Sequence, residues 1–157
     1  MLSEISFGVL VVMPFTLLLQ RTFPAFIAGA FVVTPIALFA MVESYLSDVA
    51  YYLCAALFDL LIVYLLGCIR PITSLAIRLQ RLCVASIIIN GLGYVAYEAG
   101  AGYEYYTSAI IMVHILIVLT LSRGGSFGIT RNGTRDNPVR LDFSSGLLTA
   151  HKGLRKI

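Results

Sequence analysis

Asp59 and His114 are the two ionisable residues that stand in the middle of long apolar runs. A central Asp is expensive in hydrocarbon, about 2.5–3.5 kcal/mol on an insertion scale, against about 0.3–0.6 returned by each Leu, Ile, Phe or Val. The run around Asp59 is rich enough in such residues to insert with the acid in place. An acid at that depth has to face protein or water, where it handles protons or ions or pairs helices. His114 stands at similar depth in its own run, and an imidazole near a buried carboxylate can titrate near neutral pH. Between them, Cys83, Ser86, Asn90, Gly93 and Tyr97 recur at three- and four-residue steps and so share one helical face. Two chemistries fit this pattern. Asp59, Asn90 and His114 could line a proton or ion pathway, or they could hydrogen-bond one another to fix the packing of three helices.

Other reactive residue types carry less. The cysteines Cys54, Cys68 and Cys83 lie in or beside apolar runs with no CxxC pair, as small apolar filler does. Glu98 and Glu104 flank Ala99-Gly100-Ala101-Gly102 and read as solvated loop charges. No HExxH, GxSxG, phosphate-binding glycine loop or intramembrane aspartate pair is present, so no enzyme, metal or cofactor is expected.

The elements that must position these residues follow from hydropathy. Of 157 residues 59% are hydrophobic and 12% charged, about half the charge of a soluble domain. Five apolar stretches, at about 5–20, 24–42, 49–69, 82–97 and 105–122, approach the roughly 17–25 residues needed to cross a bilayer. The chain opens with Met1-Leu2-Ser3-Glu4, without the basic region of a cleavable signal peptide, so the first stretch is expected to persist.

The joints between the stretches alternate in sign. Glu4, Glu43, Asp48, Glu98 and Glu104 fall on one side, and all 11 Lys and Arg on the other. Basic residues mark the cytoplasmic side. Of 9 tyrosines, all but Tyr64 lie in or near the two acidic joints (Tyr45, Tyr51, Tyr52, Tyr94, Tyr97, Tyr103, Tyr105 and Tyr106), as interfacial aromatics do. The expectation is an all-α integral membrane protein with five transmembrane helices, the N-terminus outside and the C-terminus inside. If 5–20 does not cross, four remain.

Three further features refine this. In 71–81, Ile72, Leu75 and Leu79 recur at helical spacing and Pro71 suits a first helical position, which predicts an interfacial helix. Its Arg78 and Arg81, with Arg70, would reach lipid headgroups. Gly8, Val11, Val12, Pro14 and Leu17 recur 21 residues later as Gly29, Val32, Val33, Pro35 and Leu38. That echo reads either as a small inverted repeat or as two proline-kinked helices packing through small residues such as Ala25 and Gly29.

The basic cytoplasmic tail, 123–157, holds Arg123, Arg131, Arg135 and Arg140, placed to meet headgroups or a partner. Val139, Leu141 and Phe143 alternate with charges as in a short strand, and Leu147 and Leu148 follow. The sequon at Asn132 would face the cytoplasm and escape glycosylation.

In size and hydropathy the chain resembles the phage holins, small multi-span proteins with a charged tail. The resemblance implies an oligomeric pore. The residues themselves favour a non-enzymatic inner-membrane subunit, acting by self-association or by docking its tail into a larger membrane complex. Membrane lipid and other copies or subunits are the expected partners, and no nucleic acid is.

Overall fold

The computed structural model describes the backbone of residues 2–20, 22–70, 72–100, 103–124 and 140–141, and the side chains of 8–20, 22–70, 72–100 and 105–123. Helix α1 runs Leu2–Phe15 and passes into a 3-10 turn, Thr16–Leu19. Pro14 explains the change, because it has no N–H to give to the preceding turn. Thr16 Oγ1 donates to the Met13 carbonyl at 2.6 Å. Gln20 Nε2 then donates to the carbonyls of Thr16 (2.9 Å) and Leu121 (2.8 Å), tying this joint to the end of the last helix.

Helix α2, Phe23–Val42, starts where Thr22 Oγ1 accepts from the Ala25 N–H and Pro24 occupies the first turn, which lacks intrahelical partners in any case. A 3-10 turn, Glu43–Tyr45, leads to α3, Asp48–Gly67. Asp48 in its first turn suits the positive end of the helix dipole. Helix α4, Ser74–Glu98, begins at the Thr73 cap, whose Oγ1 accepts from the Ala76 N–H at 3.1 Å. Helix α5 is Tyr103–Gly124. The described β-structure is one antiparallel pairing, in which Ile69–Arg70 (β1) faces Arg140–Leu141 (β2) with Ile69 opposite Leu141.

Four of these helices are long and apolar enough to cross a membrane: Phe23–Tyr45, Asp48–Gly67, Ser74–Glu98 and Tyr105–Arg123. The first apolar helix, Gly8–Leu19, is shorter. Helix α4 packs most extensively, against α3 on one side and α5 on the other, while α1 lies mainly along α5. The core is apolar and centred on Val32, Ile62, Leu66, Leu79, Ile117 and Leu121, each 1% exposed or less. Outside it, large apolar side chains stand open on every helix with described side chains, among them Leu18, Met41, Leu53, Leu92 and Met112.

One expectation changes. The segment 71–81 does not form a separate interfacial helix, and helix starts at Ser74 rather than Pro71. Its residues from Ser74 onward are the first turns of an unbroken α4, which contains no proline to interrupt it. Leu75, Ala76 and Leu79 face the protein core, while Arg78 and Arg81 are exposed on the opposite face.

Of the two readings of the echo between the first two segments, packing through small residues is the one the geometry matches. A Cβ at Gly8 would meet nothing within 4 Å, whereas one at Gly29 would lie 2.6 Å from Leu17 Cδ2 and 3.3 Å from Leu121 Cδ2. Pro14 ends α1, but α2 runs through Pro35. Small-residue packing is what this geometry displays, with Ala25, Ala28 and Gly29 all buried.

Candidate functional site

The polar stripe of α4 turns inward. Cys83, Ser86, Asn90 and Gly93 are buried, and only Tyr97, at the helix end, is exposed. Asn90 Nδ2 donates to Asp59 Oδ2 on α3 at 3.1 Å and lies 3.5 Å from Ser86 Oγ, while Asn90 Oδ1 accepts from Tyr106 OH on α5 at 2.7 Å. This orientation of the amide is the one the chemistry requires, since a carboxylate only accepts and its own oxygen must meet the phenol hydrogen. One asparagine thereby links three helices. In surroundings of low dielectric such a chain of hydrogen bonds rigidifies and specifies the packing.

Gly93 makes the arrangement possible. A Cβ there would stand 2.6 Å from Tyr106 Cε2 and 2.9 Å from Tyr52 Cε1, closer than atoms pack. The Tyr106 ring therefore lies directly over the α4 backbone, edge-on to Tyr52 at 5.0 Å between centroids. Tyr52 in turn meets Tyr51 (5.6 Å), Tyr97 (6.1 Å) and Tyr94 (6.3 Å), and Phe39 bridges Tyr51 and Phe58. At the rim of this aromatic layer Tyr97 OH donates to Asp48 Oδ2 at 2.9 Å, joining the start of α3 to the end of α4.

Beneath the aromatic layer is a cavity of about 70 Å³, lined by residues of all five helices, with Glu43 from the turn after α2. Its polar lining comprises Glu43, Tyr51, Asp59, Ser86, Asn90, Tyr106 and His114. Such a volume holds several water molecules, and the lining offers them partners. Asp59 lies eleven positions beyond the first residue of α3, about 16 Å along the axis. His114 lies equally far into α5. Both therefore sit near mid-length, whereas Glu43 sits where α2 has ended. Past this level the interior closes on Ile62, Leu66, Leu79 and Ile117.

Asp59 and Asn90 are thus joined directly. His114 shares their cavity but makes no hydrogen bond to either among the described residues. The member that sequence reasoning missed is Tyr106, and its signal was present. Positions 106, 110 and 114 fall at successive four-residue steps, so Tyr106 shares the helical face of His114, and Tyr106, Ile110 and His114 all line the cavity. Gln80 was missed too: it is buried, and its Nε2 donates to the Val63 carbonyl at 3.0 Å, clamping α4 to α3.

The basic residues gather at the other end of the bundle. Arg70 is half-buried in β1, Arg78 and Arg81 are exposed on the first turns of α4, and Arg123 is exposed in the last turn of α5. Arg140 lies in β2, and Arg131 and Arg135 fall outside the described residues. The three cysteines are free thiols, and no group of three metal-binding side chains occurs among the described residues. The chain matches no protein-family model, no curated protein and no solved structure.

Proposed function

We propose that the chain is a non-enzymatic integral membrane subunit, which acts by association with further copies or with a larger membrane complex. The observation that carries this reading is the direction of its polar side chains. Asp59, Ser86 and Asn90 are turned into the chain's own interior, and Tyr106 completes the Asp59–Asn90 hydrogen bonding there. The helix surfaces left for lipid or for neighbours carry many large apolar side chains, with Thr34 on α2 and Ser108 on α5 as polar exceptions. An oligomeric pore of the holin type needs polar residues on the surface that faces the lumen. No such stripe is available on α3 or α4, and the single bundle closes below mid-depth.

Insertion is supported by the large apolar side chains exposed along the helices, a surface that lipid tails would cover. In the proposed topology the acidic end, with Glu43, Asp48 and Glu98, faces outward. The basic end, with Arg70, Arg78, Arg81 and Arg123, faces the cytoplasm of the inner membrane. Segment one can complete five spans. Fourteen α-helical residues and four 3-10 residues together reach about 29 Å, close to a hydrocarbon core of about 30 Å.

The tail reads as a docking element that begins on the chain itself, because Arg140–Leu141 pairs with β1 at the basic end. Truncation after Gly124 tests this. The helices should still insert, and cross-linking in native membranes should lose the higher-order species that the full chain gives. An unchanged cross-linking pattern in the truncated protein would overturn the docking role.

A further inference from the structure

The cavity has a lining suited to one kind of guest. Two carboxylates, Glu43 and Asp59, and four aromatic rings, Phe39, Tyr51, Phe58 and Tyr106, face it, and no Lys or Arg does. An anion would meet two carboxylates there and no Lys or Arg to balance them. A metal ion would lack ligands at the deep end, where one carboxylate and one imidazole are the strong donors and no three-residue cluster exists among the described residues. A neutral solute would leave Asp59 without a counter-charge. An organic cation satisfies all these conditions, since ring faces attract it and a carboxylate neutralises it.

His114 narrows the choice independently. It is half-buried and lines the cavity, and no hydrogen bond to its side chain occurs among the described residues. A neutral imidazole there presents a nitrogen acceptor at the depth of Asp59. A quaternary ammonium has no N–H to give it; a primary ammonium has three.

We propose that the cavity between α2, α3, α4 and α5 binds a small primary ammonium ion, whose nitrogen lies between Asp59 and His114 and whose alkyl group lies against the Phe58 and Tyr106 rings. Glu43, at the opposite end of the cavity, draws the cation in. The size limits the guest to a short chain, with ethylammonium as the working example. Asn90, which also lines the cavity, holds the Asp59 carboxylate in place through Oδ2. The site goes beyond the assembly role, because it makes the subunit responsive to a solute without conducting it.

The experiment is a thermal-unfolding titration of the full-length protein in lipid nanodiscs. Ethylammonium chloride is compared with sodium chloride at matched ionic strength and with ethanol. A ligand that binds the folded state raises the midpoint progressively with concentration. The expected result is a rise with ethylammonium that neither control gives. Asp59→Asn, which keeps an oxygen for Asn90 but removes the charge, should weaken the response by roughly tenfold or more. Ala40→Leu, which fills the cavity without touching a polar group, should abolish it, and it decides the matter if Asp59→Asn does not fold. No rise with ethylammonium, an equal rise with sodium chloride, or full binding by Ala40→Leu would each overturn the proposal.

Discussion

Gly93 and Tyr106 govern the polar link at the centre of the molecule. Gly93→Ala would place a methyl group where the Tyr106 ring now lies. The ring would have to move, and the 2.7 Å bond to Asn90 with it. Overpacking of this kind destabilises by about 1–3 kcal/mol, which reversible unfolding in mixed micelles would register; unchanged stability would show that the ring is not held there. Tyr106→Phe removes the bond without the clash and should cost less, about 0.6 kcal/mol and at most about 1.7. Combined with Asn90→Ala it should cost clearly less than the sum of the two single changes. Strict additivity would mean the two side chains do not touch. Asp59 and Asn90 were legible in the sequence because polar residues stand out in apolar runs. Tyr106 was not, because it resembles the other tyrosines of the acidic joints, whose interfacial role explains them adequately. Gln80 was hidden among arginines in a segment that reads as facing headgroups.

At the scale of elements, the apolar segments were plain from hydropathy, and their boundaries failed where one helix serves two environments. Helix α4 has 25 residues, about 37 Å, longer than a hydrocarbon core of about 30 Å. At its basic end Leu75 and Leu79 join the core while Arg78 and Arg81 are exposed. A window that averages such residues sees polar sequence and places a break that the backbone does not have. The helix begins at Thr73, so Thr73→Ala should fray its first turn at a cost of about 1 kcal/mol. Hydrogen exchange at the Ala76 amide, which Thr73 Oγ1 now accepts, should quicken while the centre of α4 stays protected. Unaltered exchange at Ala76 would refute the cap. The repeated glycine and proline of the first two segments left two readings open for a related reason. Gly8 faces open space and Gly29 a neighbouring leucine, and sequence spacing records residue types without recording what packs against them.

For the molecule as a whole, the alternation of charge was the most legible feature, because five crossing segments would put all 11 Lys and Arg on one side. The five-span arrangement predicts that reporters fused after Leu46 and after Gly102 read as external, and those after Leu75 and after Ile157 as internal. A cytoplasmic signal at Gly102 would refute the orientation. An internal N-terminus with the other readings unchanged would leave four spans and place α1 along one face of the membrane domain. What no composition could reveal is that the polar face of α4 points into the chain, since that depends on how α3 and α5 pack around it. This inward direction is what favours the proposed associating subunit over a pore. Ion and small-solute flux through the purified full-length protein in liposomes measures the difference most directly. The account predicts flux no greater than in protein-free vesicles, whether Asp59 is present or replaced by Asn. Sustained flux from the wild-type protein that Asp59→Asn abolishes would contradict it and establish a conducting path through the polar site.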